Sequence, residues 1–194
     1  MATMHAGVTQ HVAAAQNEVV TSSTARKALA ALRIAFGLTF LWAFFDKLLA
    51  LGYHTGWDQT GTKLDRFGPA AWYNGGSPTK GFLSSVDPNN WFHGAYTSIA
   101  GAAWADWLFM IGLLGIGLAL TLGAGMRIAA ISGVVLYVLM WAASFPLETN
   151  PVIDDHVLGA ISVVVLALTL AGDTWGLGRW WSRIEMVRRY PILR

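Results

Sequence analysis

Ala28 to Phe45 reads ALAALRIAFGLTFLWAFF, and Arg33 is its one charged residue. Three more stretches share that character: Trp107–Leu122, Ile128–Phe145 and Val157–Ala171. Each approaches the roughly 20 residues that an α-helix needs to cross a bilayer core. In lipid every backbone polar group must be satisfied within its own segment, so such stretches are expected to be helices. The chain is 55% hydrophobic and 12% charged, against about 25% charged for a soluble domain. Its mean hydropathy is +0.47. The expectation is an all-α integral membrane protein: a four-helix transmembrane bundle with a long extracytoplasmic loop between the first two helices.

Working outward, residues 1–24 are polar and read as a flexible N-terminal tail. They lack the charged-then-apolar order of a cleaved signal peptide. Thr21 to Thr24 offers N-caps for a first helix over about Ala25–Leu51. A loop from Gly52 to about Ala105 follows, rich in Gly, Pro and Trp. Its aromatic residues predict a place at the headgroup level. Within it, Leu64–Tyr73 and Trp91–Ala103 are expected as short interfacial helices, with a turn at Asn74–Pro78 between them. The membrane domain spans 25–181, and a basic tail, 182–194, closes the chain.

Charge distribution predicts orientation. With both termini cytoplasmic, the inner side holds Arg26, Lys27, Arg33, Arg127, Arg179, Arg183, Arg188, Arg189 and Arg194. The outer side holds only Lys47, Lys63, Arg66 and Lys80, with eight of the eleven acidic residues. That is the positive-inside pattern, and it predicts a multi-pass plasma-membrane protein with both termini in the cytoplasm. No part of the chain has the pattern of a nucleic-acid module.

Cysteine is absent. That excludes disulfides, thiolate metal sites, iron–sulfur clusters and persulfide intermediates on this chain. His5, His11, His54, His93 and His156 form no close pair, and none lies deep in an apolar span. Neither a metal site nor a haem is expected.

The densest chemistry is Glu148 to His156, ETNPVIDDH, at the entrance to the fourth apolar stretch. An ionisable residue at the edge of a bundle is a functional-site candidate. Asp155 and His156 fit proton transfer, with Lys47 from the end of the first helix on the same membrane face. Lys47 is expected near Asp154 or Asp155, and His156 is expected to face the bundle interior. Asp154 equally suits a helix cap, and Lys47 equally suits snorkelling to the headgroups. Arg33 fits snorkelling to the opposite interface. Tyr137 and Trp141 lie one helical turn apart and either line a flat pocket for a quinone or simply pack.

Several segments together resemble the DoxX/DoxD membrane family. They are Leu32–Gly37 with Phe40-Leu41 and Asp46–Leu48; Leu118–Gly123 with Met126–Ala130; and Asn150–His156, an Asn-Pro-x-x-Asp-x-His pattern. Ser77–Leu83 is similar to the loop of the DoxD-type members. The resemblance implies four membrane helices. It further implies a subunit of a thiosulfate:quinone oxidoreductase, with quinone as the small-molecule partner and other subunits or a soluble redox protein as macromolecular partners. The positions it implies for function are Arg33, Lys47, Arg127, Asn150, Asp155 and His156. The competing expectation is a non-catalytic anchor or accessory subunit of a larger respiratory or cell-envelope complex. A transporter is disfavoured, because no internal repeat or broken helix is evident.

Overall fold

A computed structural model describes residues 14–194 apart from Gln59 and Thr149. Among them every regular element is helical, and the one β-type contact is an isolated bridge between Trp57 and Leu64. Helix α1 is a single turn, Gln16–Val19. Helix α2, Ser23–Leu49, starts on a Ser22 side chain that accepts a hydrogen bond from the Ala25 N–H and ends on Ala50 in the left-handed conformation. Short helices α3, Lys80–Ser84, and α4, His93–Ile99, lie in the long connection. Helices α5, Ala103–Leu122, and α6, Met126–Ala143, form a tight hairpin. Helix α7, Asp155–Leu168, is followed by two short helices, α8, Gly178–Trp181, and α9, Glu185–Arg189.

Three helices, α2, α5 and α6, are long and apolar enough to cross a membrane. The fourth apolar stretch is helical over only 14 residues, about 21 Å at the α-helical rise. That falls short of a hydrocarbon core of about 30 Å. Thr169 and Leu170 end it, Leu170 in the left-handed conformation, and Ala171–Asp173 turns the chain aside as a 3-10 turn.

Packing pairs α2 with α5 and α6 with α7, and α5 with α6 joins the pairs. Glycine makes the first pair close. A Cβ on Gly37 would lie 2.6 Å from the Thr121 backbone nitrogen, and one on Gly117 would lie 2.9 Å from the Leu41 side chain. In the second pair Gly159 makes room for the Tyr137 ring. The shared core runs through Phe40, Phe44, Met110, Leu120, Val163 and Leu166. The outward faces of α5 and α6 stay apolar, with Leu108, Ile111, Ile131 and Val135 exposed. Exposed apolar helix faces of this kind suit lipid as solvent.

The antiparallel order gives the bundle two ends. The long connection and the start of α7 share one, here the loop end. The α5–α6 turn, α1 and the C-terminal segment share the other, the tail end. Within residues 14–24 the chain is anchored: Gln16 is buried, its N–H donates to Asp173 and its side-chain oxygen accepts from Thr174. Residues 1–13 of the expected flexible tail lie outside the described residues.

The connection from α2 to α5 is more irregular than the sequence suggests. Of the expected helix over Leu64–Tyr73 only a 3-10 turn, Trp72–Asn74, forms, because Gly68 and Pro69 interrupt it. The expected helix over Trp91–Ala103 is confined to α4 and breaks at Gly101, which has a positive φ.

Candidate functional site

Sequence points to the loop end, and three anchors organise it. Asp46, buried in the last turns of α2, accepts from the backbone N–H groups of Tyr53 and His54 at 3.1 and 3.0 Å. Asp106, in the first turn of α5, accepts from the Ser77 and Thr79 hydroxyls at 2.8 and 2.6 Å and from the Thr79 N–H. Asn90 donates to the carbonyls of Ala142, Ala143 and Phe145. It thereby satisfies carbonyl groups that the end of α6 leaves open. Each anchor ties the connection to a different helix, so the connection is an ordered cap. Replacing Asp106 with alanine should unfasten Ser77–Lys80, and limited trypsinolysis of the detergent-purified protein should show new cleavage after Lys80.

The segment before α7 is built on its own side chains. Asn150 accepts from the N–H groups of Val152 and Ile153, which folds it into a turn. Asp154 caps α7, its Oδ1 accepting from the N–H groups of His156 and Val157 at 3.0 and 3.1 Å. Its Oδ2 sits 2.6 Å from Nδ1 of His156. The His156 ring lies edge-on against Tyr137, centroids 6.3 Å apart. Among the described residues His156 Nε2 has no hydrogen-bond partner. Asp154 also walls a cleft of about 480 Å³ whose lining includes Phe82, Asp87, Phe145 and Glu148. The arrangement is a carboxylate holding one imidazole nitrogen at the edge of an acidic, aromatic cleft, and chemically it can hold and pass one proton.

Partial burial raises the Asp154 carboxyl, but the hydrogen bonds from the His156 side chain and the Val157 and His156 N–H groups outweigh it. The net position is below the ordinary carboxyl range. A lowered carboxyl contributes stability above its unfolded value, about 3.9, and loses it as pH falls through the folded one. Asp154→Ala should cost about 1 kcal/mol near neutral pH. The difference from the parent should vanish in acid, which a pH series of thermal unfolding would read.

The remaining sequence candidates separate. Asp155 is exposed, one residue beyond the cap. Lys47 pairs with neither Asp154 nor Asp155: the ion pairs among the described residues are His156–Asp154 and Arg194–Asp173. Its ammonium lies 5.8 Å from the centre of the Phe109 ring. The cause is the pairing of helices, since α2 lies along α5 and touches α7 little. Trp141 packs edge-on against Phe145 and donates its indole N–H to the Val152 carbonyl at 2.9 Å. Tyr137 is held between Phe40, Gly159 and His156.

Arg33 is the largest departure. It does not snorkel; it is 0% exposed. One terminal nitrogen, Nη1, donates to the carbonyls of Leu120 and Thr121, and Nη2 donates to those of Thr174 and Trp175. The guanidinium therefore ties the last turn of α5 to the chain after α7, at the tail end. A cation at a helix C-terminus opposes the negative end of its dipole. Arg127 donates to the Pro191 carbonyl at the same end. Arg33 and Asn150 thus stand at opposite ends of the bundle. Tyr137 and Trp141 pack against neighbouring side chains between those ends.

Sequence reasoning singled out neither Asp106, Asn90, Gln16 nor Asp173. Asp106 and Asp173 flank apolar stretches, a weak signal; Gln16 and Asn90 give none. Compared with protein-family models, curated proteins and solved structures, the chain matches none of them.

Proposed function

We propose that the chain is a four-helix plasma-membrane subunit of the DoxX/DoxD type that serves as a non-catalytic anchor or accessory subunit of a larger redox or cell-envelope complex. One observation carries this: Arg33, Asn150 and Trp141, three of the side chains that sequence offers for cofactor chemistry, hydrogen-bond to the chain's own backbone. Arg33 holds four carbonyls, Asn150 two N–H groups and Trp141 the Val152 carbonyl. The ordered loop meanwhile carries exposed aromatic rings, Trp91 at 88% exposure the most open of them. Exposed aromatic groups on a rigid support suit a partner surface. In this topology α7 completes the bundle with its short helix and the turn that follows, both termini are cytoplasmic, and the loop end faces outward.

A second function is favoured by the Asp154–His156 pair: an oxidoreductase subunit that passes protons at the loop end while electrons move between a thiosulfate-type donor, or a soluble redox partner, and membrane quinone. Gentle purification, with identification of co-purifying proteins and an assay of quinone reduction, separates the two. A stable complex whose activity is indifferent to His156→Ala supports the anchor. Loss of quinone reduction in a folded His156→Ala protein supports the proton role. Orientation is tested by impermeant labelling of single cysteines at Ser84 and Ser182 in intact cells: label at Ser84 alone is expected, and label at Ser182 alone reverses the topology.

A further inference from the structure

We infer that the C-terminal segment, residues 173–194, is a docking ridge for anionic phospholipid headgroups. The segment is fastened at both ends to the turn between α5 and α6. The Leu177 N–H donates to the Leu122 carbonyl at 2.8 Å, and the Met126 N–H donates to the Arg194 carbonyl at 2.7 Å. Arg127 on the Pro191 carbonyl and the Trp181 indole on the Leu193 carbonyl close the fold between them. Leu122 and Met126 are the terminal residues of two helices apolar enough to cross a membrane. The segment is therefore held at the level where those helices leave the hydrocarbon.

Its free side chains match that level. Arg179, Arg183, Arg188 and Arg189 are all exposed, and Glu185 is the one exposed acid among them. The segment's other two charges neutralise each other, because Arg194 pairs with the buried Asp173 at 3.3 Å. Trp175 and Trp180 stand out at 60% exposure each, beside those arginines. Indole rings favour the headgroup zone, and arginine forks match phosphate oxygens. Among the described residues none of these four guanidinium groups has an acidic partner, although that of Arg189 lies 5.7 Å from the centre of the Tyr190 ring. At the boundary of the bilayer they call for a negative counter-surface, and the nearest one is the lipid phosphate layer itself.

This inference rests on α2, α5 and α6 being membrane helices, and not on either function proposed above. The test is reconstitution of the full chain into nanodiscs of phosphatidylcholine alone or mixed with phosphatidylglycerol, with the lipids retained on extraction counted by native mass spectrometry. Phosphatidylglycerol should be retained about tenfold over phosphatidylcholine, from the attraction of several basic residues to an anionic surface. The preference should fall to parity in the Arg179→Gln/Arg183→Gln/Arg188→Gln/Arg189→Gln protein. It should also fade for the unsubstituted protein as salt is raised, an arm that needs no variant to fold. Inorganic phosphate should not substitute for the lipid. Equal retention of both lipids, or a preference that survives the four substitutions, overturns the inference. A chain that does not enter the nanodisc at all fails the membrane placement instead.

Discussion

Replacing Arg33 with methionine should destabilise the protein by roughly 3 kcal/mol or more, given about 1.5–3 kcal/mol for each hydrogen bond to a charged group. Thermal or denaturant unfolding in one detergent would read it. Methionine keeps the length and the helix propensity of the side chain, so the loss comes from the acceptors. Four carbonyls, from Leu120, Thr121, Thr174 and Trp175, lose their donor in an interior with little water. Arg33→Lys should recover only part of the loss, because an ammonium is a point donor and cannot span two pairs of carbonyls as a planar fork does. Had Arg33 simply snorkelled to the headgroups, lysine would serve as well as arginine; full rescue by Arg33→Lys would contradict the latch. The damage should also be local, with Trp175 and the C-terminal segment loosening before α6 and α7 do.

The second large effect is expected at Gly37. Alanine there should cost about 1–3 kcal/mol, the usual range for overpacking, and leucine clearly more. A Cβ at Gly37 meets the backbone of Thr121, 2.6 Å to its nitrogen and 3.0 Å to its Cα. Backbone cannot rotate away as a side-chain tip can, so α2 and α5 must separate. Their separation would pull Arg33, one turn along α2, off the end of α5. Gly112 is the control: a Cβ there meets nothing within 4 Å, and Gly112→Ala should be close to neutral. Unfolding midpoints of Gly37→Ala, Gly37→Leu and Gly112→Ala measured side by side would decide the matter. Equal effects at Gly37 and Gly112 would refute close α2–α5 contact.

These two positions show how far local sequence reaches. The apolar stretches were legible because lipid leaves a helix few alternatives, and three of the four became long helices. Ser22 and Asp154 were legible as caps, because a cap bonds to N–H groups two or three residues away. The membrane reading of α7 was less secure: hydropathy counts apolar residues through Ala171, but backbone geometry ends the helix at Leu168. Hydropathy does not record where a chain turns.

What sequence by itself determined is the apolar helices, their order and the caps at their starts, since each depends on residues within a turn or two. Tertiary structure alone decided the partners of the charged and polar side chains. Arg33 meets carbonyls 87 to 142 positions away, Asn90 bonds to the end of α6 and Gln16 to Asp173. Lys47 and Asp154, expected together on one membrane face, stand on different helix pairs. Glycine contacts draw α2 onto α5 and α7 onto α6, and a buried polar group closes on whatever donor or acceptor that packing brings within reach.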